Sequence, residues 1–454
     1  MPGGDHDRPH IRWTARRLAN GLRVIVAPDH LVPVVAINLW YAVGSRDERA
    51  GKTGFAHLFE HFMFQGSRHV AKAEHASIVQ GAGGVTNATT WFDRTNYFET
   101  LPSNQLELGL WLEADRMATL LDALDQDNLD NQREVVKNEK RQSYDNRPYG
   151  TFYEKLIAAV FPPEHPYHHT PIGDEADLDA ADLDDVRAFF RTWYVPDRAV
   201  LSIVGDVDPD EAHGAAARYF GPIAAGPERR VAPVRPLGPT GGPEWREIVP
   251  DAVPLVRIHW GLRTPPFGSP AFDALELAVQ ILAGGRGSRL YRTLVRERRI
   301  AQDVALFTLP LVAGAAIMAG WATVRPEADP AEVEQAFWAE LERMGAEPVT
   351  DDELERARAL IETQELAALS SVAEVADRLS MYATLFDDPG LIDRFLDRYL
   401  AVDKARIQAA SAALFRPDDR AVIIYVPRGG GRDGPLAPED GPGLSPPDGP
   451  EVTG

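Results

Sequence analysis

The chain has 454 residues, a formal net charge of -21 and no cysteine. Its length points to two or three domains and to a core large enough to need no staples. The lack of cysteine excludes disulfides, thiolate metal sites and a cysteine nucleophile, so any metal must sit on His, Asp or Glu. The acidic balance argues against nucleic acid as a partner, because binding it needs a basic face.

Taken in chain order, the opening "MPGGDHDRPHIRWTARR" has no apolar segment of the kind a secretory signal carries. Residues 1–14 are expected to be a flexible N-terminus. Residues 16–27, "RRLANGLRVIVA", predict two short strands around the hairpin signal Asn20-Gly21. Residues 32–43 are β-branched and partly alternating, which predicts a strand. Thr53 to Phe64 carries apolar residues at helical spacing, and residues 84–101 predict a second hairpin. Residues 104–122 and 126–146 are long, charged and free of proline, hence helices. Residues 199–207, "AVLSIVGDV", make a buried strand that closes the first unit.

Residues 221–245 are rich in Gly and Pro, which places an interdomain linker at 223–246. The pattern then restarts. "VPLVRIHW" at 253–260 echoes "VPVVAINLW" at 32–40, and "RAVIIYV" at 420–426 echoes "RAVLSIV" at 198–204. Matched opening and closing strands at a spacing of about 220 residues predict a duplicated α+β unit, with domains over 15–222 and 247–427. The longest apolar run, residues 309–324, is too short to span a bilayer and is broken by Pro310, Gly314 and Gly320, so no membrane segment is expected. With no leader visible, a cytoplasmic location is expected; a removed leader would make it periplasmic or secreted. Residues 428–454 hold almost no large apolar side chains and are expected to form a disordered tail.

The chemistry is concentrated in "GFAHLFEHFMFQGS", residues 54–67. Residues four apart on a helix share a face, so His57 and His61 can direct imidazole nitrogens at one ion, about 2.0–2.1 Å from it if the ion is zinc. Glu60 lies on the same face, close enough to hold a metal-bound water. The order H-x-x-E-H is the inverzincin signature. Against this stands a plain amphipathic helix with a solvated His/Glu face. The flanking Leu58, Phe59, Phe62 and Met63 weigh toward a half-buried site, where ionisable groups need a reason to be present. Zinc needs a third protein ligand, which in this chain must be His, Asp or Glu.

The chain resembles the pitrilysin/insulinase-type zinc peptidases, which include the mitochondrial processing peptidases. The resemblance covers roughly residues 15–427. It rests on "LANGLRVIVAPD", "GFAHLFEHFMFQGS", "NATTWFDRTNYFETLP", "NQREVVKNEKRQ", "WYVPDRAVLSIVGDVDP" and "GGRGSRLYRTLVRERRIAQDV", in that order. It implies two homologous α/β-sandwich domains, each an antiparallel-rich sheet with helices packed on it, together forming one half of a clamshell.

In that family the third zinc ligand is a Glu at the end of a segment here reading "QREVVKNE", which gives the role to Glu139. Glu134, five residues earlier, is the rival by proximity but faces elsewhere on the helix. Gln132 stands where many relatives carry a Glu that supports the ligand, and it brings no charge. The implied mechanism has zinc activate water while Glu60 takes its proton and passes it to the leaving amine. The resemblance also implies that an extended peptide adds as a strand along the edge carrying Asn87, Ala88 and Thr89; Asn87 is equally explained as a turn residue.

The second half has no counterpart of the metal motif, since "FDALELAVQILA" at 272–283 contains no His. Family members place an Arg and a Tyr in this half to stabilise the tetrahedral intermediate. Arg296 matches the Arg, although a salt-bridged helix position explains it better, and Gln302 falls where the Tyr should be. The resemblance therefore implies a zinc endopeptidase that pairs with a zinc-less homologue carrying the Arg/Tyr pair. The alternatives are a homodimer, with Tyr291 or another side chain in the Tyr role, and a non-catalytic scaffold subunit. Scaffold members lose ligands, whereas His57, Glu60, His61 and Glu139 are all present here.

Overall fold

A computed structural model describes residues 10–228, 234–238, 244–416 and 418–428. The expected tail lies outside these residues apart from Arg428, as do residues 1–9 and parts of the expected linker. The first sheet has six strands: β1 (Thr14–Arg17), β2 (Arg23–Pro28), β3 (Val34–Tyr41), β4 (Val85–Thr90), β5 (Thr95–Pro102) and β6 (Ala199–Gly205), in the order β1-β2-β6-β3-β5-β4. The second has five: β7 (Trp245–Asp251), β8 (Arg257–Thr264), β9 (Ala301–Leu309), β10 (Ala316–Val324) and β11 (Ala421–Pro427), in the order β7-β11-β8-β10-β9. Without β1 the two orders coincide strand for strand. The one parallel pair sits in the same place in each, β2 with β6 and β7 with β11. The sequence echoes between β3 and β8, and between β6 and β11, are thus part of a repeated topology.

The first unit carries α1 (Phe55–Phe62), α2 (Glu74–Gly81), α3 (Leu106–Ala123), α4 (Gln126–Lys140), α5 (Phe152–Val160), α6 (Glu175–Asp179), α7 (Leu183–Trp193) and α8 (Pro209–Phe220). The second carries α9 (Pro270–Ala283), α10 (Pro330–Ala346), α11 (Asp351–Ala368), α12 (Val372–Phe386), α13 (Leu391–Leu400) and α14 (Lys404–Leu414). Two helices cross over. From the second unit, α12 packs on β3 and β6, while α5 from the first packs on β8 and β11. Each sheet is therefore covered on both faces. This explains why "VVAINLWY" and "AVLSIVG" read as nearly continuous apolar runs although their sheet is mostly antiparallel.

The few polar residues on those strands meet the visiting helix. Asp377 of α12 accepts from Trp40 Nε1 at 2.8 Å and from the side-chain amides of Asn38 and Asn96 at 3.2 Å each. Ser380 Oγ donates to Ser202 Oγ at 2.8 Å. Asp377→Ala would leave Trp40 Nε1 and the Asn38 amide without this acceptor at a buried seam, and each such loss costs about 1–3 kcal/mol. Denaturant unfolding should show a destabilisation of that order; an unchanged midpoint would mean the seam is held by apolar packing alone.

The structure departs locally from the sequence reading at four places. Strand β7 begins inside the stretch assigned to the linker. It is an edge strand, where Pro250 is tolerated because its missing N–H faces no partner, and the Gly/Pro-rich composition before it hides its alternation. Strand β8 begins at Arg257, not Val253, because Pro254 falls in the bend between β7 and β8. The helix expected to run to residue 146 is α-helical only to Lys140 and continues as a π-helical turn, Arg141–Asp145. The expected flexible N-terminus is anchored at its end: Ile11 N donates to Asp393 Oδ1 at 3.0 Å, and Trp13 packs against the second unit's core. No helix among the described residues is long and apolar enough to cross a membrane.

Candidate metal centre

Helix α1 starts at Gly54, whose φ is +86°. A Cβ there would lie 2.9 Å from Ile172 O, and one on Gly173 would lie 2.3 Å from Gly54 N, so the crossing of these two segments requires glycine at both. Gly54 cannot cap the helix itself. The buried Glu48 does so from a distance, accepting from Gly54 N at 2.9 Å and Ala56 N at 2.7 Å. It also contacts His169 Nε2 at 2.8 Å. Burial raises the Glu48 pKa, and His169 and the two N–H groups act against it. A carboxylate at this helix end is favoured by the macrodipole. Asp177 fixes the residue before, accepting from Thr53 N at 3.0 Å and its hydroxyl at 2.7 Å.

The opposite face of α1 is anchored in aromatic packing. Phe59 stacks on Phe189 and Tyr194, at 5.0 and 5.2 Å between centroids, and Leu58 and Phe62 are fully enclosed. Burying such side chains contributes about 1.5–3 kcal/mol each. The apolar flanks of the motif therefore hold α1 in place, while its other face meets α4.

That face brings together His57, His61 and Glu139. His57 Nε2 lies 3.6 Å from Glu139 Oε1, and His61 Nε2 lies 3.3 Å from Glu139 Oε2. The edge of a tetrahedron with zinc–ligand bonds near 2.05 Å is about 3.4 Å. The donor set thus has the spacing of ligands around one ion. His61 Nε2 has no hydrogen-bond partner despite its nearness to the carboxylate, as expected of atoms aimed at a common point rather than at each other. Burial lowers the His57 pKa, which keeps the imidazole neutral and able to coordinate. Burial opposes ionisation of Glu139, but His57 and His61 outweigh it and hold the carboxyl below its ordinary range.

Glu60 is 1 % exposed, between the two histidines on α1. Glu60 is one of the carboxylates acting on the half-buried Arg94, from the turn between β4 and β5, which donates to Thr89 O at 2.8 Å. Glu134 points to solvent and pairs with Lys137 at 3.0 Å, away from the histidines. Gln132 is buried on α4, and its amide donates to Asn131 Oδ1 at 2.8 Å. Asn87, Ala88 and Thr89 lie on β4, the edge strand, which packs beside α1. Asn87 Oδ1 accepts from Ala88 N at 2.9 Å.

In the second unit, Arg296 lies in a π-helical turn, Tyr291–Glu297, and is exposed. It makes no ion pair among the described residues, against the salt-bridged position expected for it, because nearby Glu297 faces Arg292 and Glu332 faces Arg298. Gln302 is exposed on β9, and Tyr291 is half-buried. Sequence reasoning did not single out Glu48, His169, Asp177 or Arg94.

The comparisons with known proteins bear on this centre. Residues 23–166 match the family profile described as Insulinase (Peptidase family M16), and residues 180–361 match the one described as Peptidase M16 inactive domain. The chain is 30 % identical over 388 residues to the zinc protease PqqE of Helicobacter pylori, covering 84 % of this chain and 86 % of that one. This chain belongs to the M16 peptidase family.

All three candidate metal ligands fall within the first matched stretch, and none within the inactive-domain match. Among curated M16 relatives, an uncharacterized zinc protease of Rickettsia bellii is 27 % identical over 414 residues, 91 % of this chain and 97 % of that one. Among solved structures, a protease from Helicobacter pylori superposes with a TM-score of 0.84 at 26 % identity, covering 92 % of this chain and all of that chain. The periplasmic protease PqqL from Escherichia coli shares the fold, with a TM-score of 0.73 at 19 % identity; the match spans 92 % of this chain but 48 % of that one. The M16 fold described here is thus about half of that longer chain.

Proposed function

We propose that this chain is a zinc-dependent endopeptidase and the catalytic subunit of a heterodimer. The observation that carries the reading is the convergence of His57, His61 and Glu139 at zinc-ligand spacing with Glu60 beside them. Two imidazoles and one carboxylate leave a coordination position open, as catalytic zinc sites do. When bound there, zinc supplies a Lewis acid and a water of lowered pKa.

The chain's own residues do the rest. Glu60 accepts the proton of the attacking water and returns it to the leaving amine. The free edge of β4 offers main-chain N–H and C=O groups to an extended peptide, so Asn87, Ala88 and Thr89 would align the substrate beside α1 with loose side-chain demands. Glu48 and Asp177 keep α1, and with it both histidines, from shifting against α4. The complete donor set weighs against a non-catalytic scaffold.

The ligand assignment is tested by metal analysis. The purified chain should hold about one zinc, and Glu139→Gln should lose most of it, because an amide oxygen replaces a charged ligand. Full zinc retention in Glu139→Gln would refute the assignment.

A further inference from the structure

A second cluster of ionisable groups is sealed in the core of the first unit. His75 of α2, Glu99 of β5, and Glu113 and Arg116 of α3 meet there, 4, 1, 0 and 2 % exposed. Ligating atoms of His75, Glu99 and Glu113 all lie within 4.8 Å of one another, which on spacing alone would make a second metal site. The contacts argue otherwise. Arg116 grips both oxygens of Glu113, with Nε 3.0 Å from Oε2 and Nη2 on Oε1, and its guanidinium lies 4.4 Å over the ring of Tyr97. His75 Nε2 is 3.8 Å from Glu99 Oε2, too far for a hydrogen bond. Neither Glu99 oxygen has a partner, nor has His75 Nε2 or Arg116 Nη1.

Charge counting decides what belongs there. With both carboxylates ionised, the pocket holds one excess negative charge where no water reaches, which is costly. A divalent ion would convert this to one excess positive charge and would compete with Arg116 for Glu113. One proton brings the count to zero.

We propose that Glu99 is held as the neutral carboxylic acid, so that His75, Glu99, Glu113 and Arg116 form a buried proton-binding site beneath the metal-centre helix and not a second metal centre. As an acid, Glu99 gains an O–H, and neutral His75 Nε2, 3.8 Å from Oε2, is a vacant acceptor that a small shift would bring into reach. Burial pushes the Glu99 pKa up to about 7 against the pull of Arg116, and burial with Arg116 drives His75 down to about 3. The other titratable groups turned toward the cluster are Tyr97 of β5 and Tyr41 of β3, with Tyr194 and Glu60 behind them. Tyr97 ties the cluster to the metal centre, donating from its hydroxyl to Phe59 O of α1 at 3.3 Å.

The sign is fixed by the raised pKa. A carboxyl titrating near 7 when folded and near 4.5 when unfolded contributes stability that is fully present below about pH 4.5. That contribution declines as pH rises and is gone once pH passes about 7, a change on the order of 10²-fold in the folding equilibrium.

Glu99→Gln, a permanent stand-in for the neutral acid, tests this. Its melting temperature relative to wild type should rise between about pH 5 and pH 8. It should also lack a carboxylic-acid infrared band that in wild type titrates near neutrality, and its metal content should equal that of wild type. A wild-type-minus-variant difference in stability that is the same at every pH, or the loss of one metal equivalent in the variant, would overturn the proposal. Should Glu99→Gln fail to fold, the same infrared titration on Glu276→Gln decides, since that removes a half-buried carboxyl also pushed to about 7. A remaining band near neutrality supports the proposal, and its absence overturns it. Neither readout depends on peptidase activity.

Discussion

Glu60→Gln is expected to keep its zinc and lose peptide hydrolysis. The substitution preserves side-chain size and one oxygen, so the buried position between His57 and His61 is still filled. The nitrogens of His57 and His61 and the carboxylate of Glu139 are untouched, which leaves the metal donors complete. What disappears is the proton acceptor. Losing a general base costs on the order of 10²–10⁴-fold in turnover. A second contribution is electrostatic: Glu60 is one of the carboxylates facing the half-buried Arg94 guanidinium. The Gln variant leaves that cation to Asp377 and Asp93, so the charge near Thr89 and the β4 edge also changes. Zinc content and turnover on a fluorogenic peptide set, measured on the same preparation, separate the outcomes. Near-normal turnover would show that Glu60 is not the base, and loss of zinc would show that its main role is to hold the metal ligands.

The reasons some parts of this site were legible in the sequence, and others not, are physical. His57, Glu60 and His61 sit on one turn of one helix, so their shared face follows from spacing alone. Glu139 comes from a different helix. Nothing local marks it above Glu134, and it was reached only through the resemblance; the structure separates the two by turning Glu134 to Lys137 and solvent. Asp177 reaches the backbone of a segment far away in sequence, while Glu48 and Arg94 reach backbone groups a few residues away across irregular turns, and neither residue type nor periodicity announces such bonds. The duplicated unit was visible because buried strands repeat as recognisable apolar strings. The exchange of α5 and α12 between the sheets was not visible: an amphipathic helix declares that it has a buried face, but not which sheet will cover it. The strand strings did hold a trace of that exchange, since β3 and β6 carry apolar residues on both faces.

A purified preparation of this chain alone is expected to cleave peptides far more slowly than a mixture with a zinc-less M16 homologue. In the reading proposed above, the two sheets make one half of a chamber, and a second chain would close it around the substrate. The residues that would stabilise the tetrahedral intermediate are incomplete in this half. Arg296 is exposed in a π-helical turn, and Gln302, exposed on β9, offers an amide where the resemblance calls for a phenol. A homodimer would then contain two metal centres and no intact Arg/Tyr pair. A partner carrying both residues would supply the missing donors, and removing one such donor typically costs on the order of 10²–10³-fold in turnover. The contact between the halves should be polar and able to open, because substrate must enter and product leave. The measurement is activity against protein concentration, with and without a co-expressed zinc-less homologue from a neighbouring gene. A steep gain on mixing supports complementation. Full activity of the isolated chain, rising with its own concentration, would sink the heterodimer and favour a homodimer; Tyr291→Phe would then show whether that phenol serves the role assigned to the partner.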